Sequence, residues 1–445
     1  MKTKLFQFSG VWFLLFLLGG GLSVGNGLYA RETPETAEDS LARVMEALGD
    51  DQCITCHVDL ETLPEDFHVA DVHLQPGLSC AGCHGGDPTV DDEELAKAPE
   101  TGFIGVPKKQ DIPGVCGRCH SDPEFMREYQ PRIHTDQVDR YYTSVHGKRL
   151  REGDPKVATC TDCHTAHSIL PASDSRSTVY ALNVPFTCKK CHSDPEYMKE
   201  YGIRTDQFDK FAESVHGKAL LEKQDTGAPA CNDCHGNHGA VPPEVSSIRH
   251  VCGTCHVYNM QYFSATKMAR AFQEEDLHAC EECHGNHDIP KPTDNMVGVS
   301  DEAVCIDCHD EGEKGYQAAE KIHELLQELV AEYDSAEALK QEIERIGMDD
   351  IEIGYLLQDA KQALIHSRTL VHTFDPEKVA EKSQEGVKLA RQAIELAKQE
   401  KHDYAVRRRG FAMATFFITL LAVALFFKIR MMESENARKN STSKS

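Results

Sequence analysis

Apolar positions divide the chain into three regimes. Lys2 and Lys4 precede an apolar stretch from Val11 to Leu18, followed by small residues and Leu28-Tyr29-Ala30. A basic start, an apolar middle and a small-residue end predict a secretory signal peptide over 1–30, cut after Ala30, and therefore an exported body. A retained N-terminal anchor is the alternative, because a Gly-rich stretch prolongs the segment. From Arg31 to Glu311 Gly, Pro, Asp and Asn recur throughout, which predicts short helices and loops with little sheet. Beyond Glu313 the pattern becomes helical: Ile322, Leu325, Leu326, Leu329, Val330 and Tyr333 share one spacing, and Tyr355, Leu356, Ala360, Ala363, Leu364, Leu370 and Val371 share another. A third run starts at Asp375-Pro376-Glu377, a cap followed by proline at the first helical position, and continues through Val379, Val387, Ala390, Ile394 and Ala397. These runs predict a helical domain over 312–409, built as an antiparallel bundle or as a hairpin plus stalk.

The last apolar segment, Phe411 to Phe427, carries no charge over seventeen residues, the lower end of what spans a bilayer core. It predicts a transmembrane helix over 410–430 and a tail over 431–445. Arg407, Arg408 and Arg409 stand on one side and Lys428 and Arg430 on the other, so flanking charge does not fix the orientation. The fold class is thus mainly α: short helices and loops, then a helical bundle, then a membrane helix.

An internal repeat organises the middle. The stretch CGRCHSDPEFMREY…TDQVDRYYTSVHGKRL…CTDCHTAH from Cys116 returns as CKKCHSDPEYMKEY…TDQFDKFAESVHGKAL…CNDCHGNH from Cys188. Each copy predicts a helix ending in SVHGK between two Cys-x-x-Cys-His motifs. A decayed third copy runs from Cys252 to His287, and the first pair, Cys53 to His84, has Asp71-Val72-His73 at the equivalent place.

Nine Cys-x-x-Cys-His motifs consume all 18 cysteines. They are Cys53, Cys56, His57; Cys80, Cys83, His84; Cys116, Cys119, His120; Cys160, Cys163, His164; Cys188, Cys191, His192; Cys231, Cys234, His235; Cys252, Cys255, His256; Cys280, Cys283, His284; and Cys305, Cys308, His309. This is the attachment signature of c-type haem. Two thiols three residues apart reach the two vinyl groups on one porphyrin edge, and the next residue turns its imidazole onto the iron. A disulfide framework gives no reason for a histidine after every second cysteine. Zinc ribbons need two pairs per metal, which would strand one of nine. The expectation is nine covalent haems c over 31–311 as tandem two-haem units plus a last haem at Cys305. At roughly 31 residues per haem, a conventional side-chain core around each is out of reach, so the porphyrins supply much of the buried apolar surface. Haem attachment also places Cys53 to His309 outside the cytoplasmic membrane and the tail after Lys428 inside.

A formal net charge of −25 argues against nucleic acid as a partner. It suits solubility or docking to a basic redox partner.

Of 23 histidines, nine are proximal, and ten of the other fourteen lie in the motif-bearing region. An electron carrier keeps both axial positions filled. The leading distal candidates are His73, His146 and His216 in the SVHG-type slot, and His167, His238 and His287 in CHxxH. Three residues past the proximal ligand is too close to swing over the same porphyrin, so a CHxxH histidine must reach a neighbouring haem. His250 and His278, each two residues before a haem cysteine, are sent to neighbours by the same argument. His134 and His68 are weaker candidates. His323, His366, His372 and His402 belong to the helices, and of these His372 could reach back onto a haem. In the third repeat Met268 replaces the slot histidine, either as a ligand that raises one haem's potential or as a core methionine.

The paired motifs, the SVHG histidine, CHGNH and the helical tail resemble exported multihaem cytochromes c of respiratory bacteria, the broad cytochrome c3-like and nitrite-reductase-associated group. The resemblance covers Cys53 to His309. It implies electron transfer between a membrane, quinol-linked donor and a periplasmic or outer acceptor, with a membrane redox subunit and other cytochromes as partners. The rival is a multihaem oxidoreductase acting on a small nitrogen or sulfur compound, which needs an iron with an open distal site. The nitrite reductase type resembles a CxxCK motif at that iron, whereas all nine motifs here keep histidine. Small quinol-oxidising cytochromes carry an N-terminal anchor; here the anchor is expected at the other end, so a separate membrane subunit is the more natural donor.

Overall fold

The computed structural model describes residues 45–62, 71–74, 76–242 and 248–442. The expected signal peptide and His68 lie outside the described residues. Among those described, every regular element is helical. The chain divides into two compact units, Met1–Gly105 with His167–Ile169, and Val106–Ala166 with Leu170–Ser445.

In the first unit Asp51 caps the helix Gln52–Asp59 by accepting from the Ile54 amide at 3.2 Å. Ile54 is thereby buried against Met45, Leu48, Val58 and Leu74. Ser79 caps the next motif helix, Cys80–His84. Gly85 follows with φ +68°, where an added Cβ would lie 2.1 Å from the Gly102 carbonyl oxygen, so only glycine allows this close crossing. The segment His167–Ile169 is stitched in by two bonds: the Val72 amide to the Ile169 carbonyl at 2.9 Å, and the Ile169 amide to the buried Asp71 carboxylate at 2.9 Å.

The second unit opens on the repeat. Each full copy starts with a proline-initiated motif helix, Ile112–His120 and Val184–His192, whose Pro113 and Pro185 are fully buried. Asp122 and Asp194 then cap the following helices, Pro123–Tyr129 and Pro195–Met198, with Pro at the first position. The expected helix ending in SVHGK is instead two helices. Ser144 ends Gln137–Thr143 and caps Val145–Arg151; Ser214 ends Gln207–Glu213 and caps Val215–Gly217. Each serine hydroxyl donates back to a carbonyl, Tyr141 or Phe211, and accepts from a glycine amide, Gly147 or Gly217, at 2.9 Å. A Cβ on those glycines would sit 2.1 Å from the Tyr141 oxygen or 1.8 Å from the Phe211 oxygen. The motif is therefore a sharp corner that sets the histidine between cap and glycine. In the third copy Thr266 makes the same cap onto Ala269, which confirms that Met268 occupies the histidine slot.

Three long helices close the chain: Lys314–Arg345, Ile351–Leu370 and Pro376–Thr442. The bundle and the stalk are both present, because the third helix packs on the other two and then continues. One core layer joins Ile322, Leu325, Leu326, Leu329, Leu364, Leu370, Val379 and Val387, and a second joins Ala336, Ile343, Ile353, Leu357, Ala360, Ala390, Ala393 and Ala397. Gly386 lets the helices approach; a Cβ there would stand 2.8 Å from Leu329 and 3.0 Å from Ala363. Arg391 bridges to Glu328 and Glu332 at 3.0 and 2.9 Å on the exposed side. Past Ala397 the buried face ends. Phe411, Phe417 and Ile418 are 76%, 67% and 67% exposed, and the helix is long and apolar enough to cross a membrane.

Candidate haem-binding array

The motif helices are short, and their caps differ by position. In the second motif of each repeat, an acidic residue inside the motif folds back onto the residues that precede it. Asp162 accepts from the Thr159 amide at 2.7 Å, Asp233 from Ala230 at 2.8 Å, and Glu282 from His278 at 2.8 Å. Directly after the proximal histidine the backbone turns left-handed, at Gly85, Thr165, Gly236 and Gly285, with φ of +68, +67, +86 and +72°. At Thr165, Gly236 and Gly285 that reversal carries the histidine three places on, His167, His238 or His287, away from its own motif, as the CHxxH spacing requires.

Cysteines of successive motifs converge. The Cys160 thiol is raised by a hydrogen bond with Cys116 and then by burial. Cys188 is raised in the same way by Cys231, and Cys252 by Cys280. Between repeats, burial pushes Cys163 up to about 11, with Cys188 and Cys191 adding to it. Burial does the same to Cys283, with Cys305 and Cys308 behind it. Cys234 is raised by burial and then by Cys252. Chain order is therefore spatial order from Cys116 to Cys308. In the first unit, Cys53 is raised to about 11 by burial, then by Asp51 and Cys80. Cys231 and Cys280, the partners of Cys188 and Cys252, are lowered by the same bonds.

The imidazoles come in facing pairs. In the first unit His84 faces His167, with ring centroids 6.1 Å apart. In the second, His146 faces His192 at 6.1 Å, His164 faces His238 at 6.0 Å, and His216 faces His256 at 6.2 Å. His235 faces His287 at 5.9 Å and His284 faces His372 at 6.1 Å. The separations agree within 0.3 Å, while the angles between ring planes run from 9° to 60°. Ring stacking would fix the angle and tolerate a range of distances. A constant distance with free rotation is what one shared atom on the axis imposes. With a metal–imidazole bond of about 2.0–2.1 Å, each centroid lies about 3 Å from the metal, so two axial rings stand about 6 Å apart. The residues fit a haem iron at all six places.

Electrostatics prepare the same rings. Burial, and after it the facing imidazole, pulls His146, His164, His167, His216, His284 and His287 below the usual histidine range. A neutral ring keeps the lone pair that ligation needs. Where Nδ1 meets a backbone carbonyl it must be the protonated nitrogen, because a carbonyl only accepts. His84 does this to Gly105 at 2.8 Å, His235 to Val241 at 3.2 Å, and His372 to Thr369 at 3.0 Å. Nε2 is then left as the ligating atom, the usual outer-shell arrangement of a metal-bound histidine. The His372 Nε2 also lies 3.4 Å from the Asn259 side-chain amide, too long to compete strongly with a metal.

Known families place these motifs. A model described as cytochrome c3 matches residues 72–193, which hold four of the motifs, and one described as cytochrome c554 and c-prime matches residues 28–85, which hold the first two. Neither a curated protein nor a solved structure matches the chain. The chain is a multihaem c-type cytochrome. As such it binds haem c covalently and transfers electrons.

The remaining sequence candidates of the cytochrome fall into distinct places. His73 holds the slot of His146 and His216 in the repeat register. The residue before each slot donates to the carbonyl two places past a CHxxH histidine: Val72 to Ile169, Val145 to Ala240, and Val215 to Ile289. The His73 Nδ1 is 3.2 Å from Asp71. The Nδ1 of His278 lies 2.9 Å from Glu281 on the exposed surface. His250 and His134 are exposed, and Met268 is half-buried. Of the proximal set, His57 sits 2.7 Å from Thr62 and His120 closes its helix. His309 packs against Gly315, where a Cβ would lie 2.4 Å from the ring.

Sequence reasoning left one residue aside. His323, half-buried on the first bundle helix, sets Nδ1 3.1 Å from the Asp294 carbonyl, the same arrangement as His84, His235 and His372. Its signal was its distance from the ninth motif, only fourteen residues past His309 and within the apolar face marked by Ala319, Ile322 and Leu326.

Proposed function

We propose that the cytochrome carries nine haems and acts as a membrane-anchored electron conduit of an anaerobic-type respiration. Its donor is a membrane, quinol-linked redox subunit and its acceptor is periplasmic or outer, with the haem region in the periplasm. The observation that carries this reading is the constant spacing of the six facing imidazole pairs. The haem iron supplies a reversible one-electron change, and the protein fixes spacing, axial ligands and dielectric around it. The cysteines tether each haem at one edge. His57, His84, His120, His164, His192, His235, His256, His284 and His309 take the proximal positions. His146, His167, His216, His238, His287 and His372 take the facing ones, with His73 in the equivalent slot. With both axial positions held by rings that the backbone fixes, an iron can change charge with little movement of its ligands. An enzyme acting on a small nitrogen or sulfur compound needs an open iron, and the six pairs speak for filled ones.

The bundle also bears on the donor. His372 brings the turn between the second and third helices to the His284 motif. From Pro376 at that turn to Phe411 the third helix runs 35 residues, about 50 Å at 1.5 Å per residue. That length separates the eighth motif from the apolar segment and favours a separate membrane subunit over direct quinol oxidation.

Intact mass of the purified, processed protein tests the cofactor content. Nine haem masses above the polypeptide are expected; seven or fewer in a fully matured sample would break the motif reading.

A further inference from the structure

We propose that His323 is the distal ligand of the haem held by Cys305 and Cys308, opposite His309; the inference rests on the ninth motif carrying a haem. The argument starts from the loop between the eighth and ninth motifs. Its turn Asp294–Met296 is clamped by the bundle, because Arg368 of the second helix binds the Asp294 carboxylate through two bonds, at 2.8 and 2.7 Å, and that carboxylate is only 14% exposed. The Asp294 carbonyl accepts from His323 Nδ1 at 3.1 Å, which fixes the tautomer and leaves the Nε2 lone pair available. Four residues on, Gly298 has φ +124° and lies against His323, where an added Cβ would be 3.1 Å from its Cβ and Cγ and 3.4 Å from Nδ1. The Gly298 amide also lies near the Cys305 sulfur, where it favours the ionised thiol against the burial that raises it. One short loop therefore touches the His323 ring on one side and the first cysteine of the ninth motif on the other.

The first bundle helix also packs on the turn Val304–Asp307 that carries Cys305. His309 meets the start of that same helix, through Gly315 and through Glu313 at 3.3 Å from its Nδ1. The ninth motif is thus held by the helix on which His323 sits. His372 already stands 6.1 Å from His284, so His323 would make the bundle the source of distal ligands for the last two haems. The competitor is Met268. It fills the slot whose occupants in the two earlier copies, His146 and His216, face the first histidine of the next repeat, His192 and His256.

The test uses the full holoprotein with three variants: His323→Ala, His323→Met and Met268→Ala. Peptide mass of the Cys305–Cys308 segment reports attachment, and low-temperature EPR with far-red absorption reports ligation. His323→Ala should keep every haem attached and gain one high-spin haem per chain, which free imidazole returns to low spin. His323→Met, which retains a ligand and most of the volume, should stay low-spin and gain a thioether-to-iron band. An unchanged spin count in His323→Ala overturns the proposal, as does a high-spin haem in Met268→Ala. A wild-type Cys305–Cys308 peptide without haem overturns it too, and peptide mass separates that failure of the haem count from a failure of ligation.

Discussion

Replacing His238 by alanine is expected to convert one haem per chain from low to high spin while every haem stays attached. The ring of His238 faces His164 at 6.0 Å with planes only 9° apart, and burial holds it neutral. Attachment depends on Cys160 and Cys163, which the substitution does not touch. The backbone around His238 is fixed independently of its ring, by the left-handed turn at Gly236 and by the bond from Val145 to the Ala240 carbonyl at 3.2 Å. The fold should therefore survive the loss of side-chain packing, which costs about 1–2 kcal/mol for an ordinary substitution. The potential of that haem should shift, since axial ligand identity is a main lever on it. If every haem in His238→Ala remains low-spin, ligation between neighbours through CHxxH is wrong and the slot histidines need reassignment with it.

Deleting Phe411 to Ser445 is expected to move the protein from the membrane to the soluble periplasmic fraction, fully loaded with haem. The third helix is one continuous element, but its two halves differ in what they touch. Val379, Val387, Ala390, Ala393 and Ala397 are buried in the bundle, whereas Phe411 through Phe427 are exposed along the whole turn of the helix. Each Leu, Ile, Phe or Val in a membrane span contributes about −0.3 to −0.6 kcal/mol to insertion, so removing the segment abolishes the main driving force for anchoring without opening the bundle core. Retention of the truncated protein in salt-washed membranes would mean that the signal is uncleaved or that another subunit holds it.

Much of this was legible in the sequence because it is written in local spacing. The helical periods of Ile322 to Tyr333 and Tyr355 to Val371 gave two bundle helices, and Asp375-Pro376 marked the start of the third. CHxxH carried a steric consequence that depends only on residue count, and His167, His238 and His287 each face the histidine of another motif. The corner at Ser144 and Ser214 was not legible as a helix break, because the serine caps one helix while ending another and only the close approach of Gly147 and Gly217 to a carbonyl reveals it. His278 stands on the exposed surface with its Nδ1 2.9 Å from Glu281, a contact that spacing to the haem cysteine did not reveal. For His372 and His323 local spacing gave only a hint, of reach in one case and of nearness to the ninth motif in the other. Their positions depend on how the bundle folds back on the last repeat, through contacts such as Phe263 with Phe374 and Arg368 with Asp294.

The most direct test of the conduit is a spin count on the wild-type protein. Low-temperature EPR of the fully oxidised sample, integrated against haem content, should give all or nearly all of the ferric haems low-spin, and no high-spin haem that takes up an added small ligand. A stoichiometric high-spin haem that binds nitrite, hydroxylamine or another small ligand would contradict filled axial positions and make the cytochrome an enzyme.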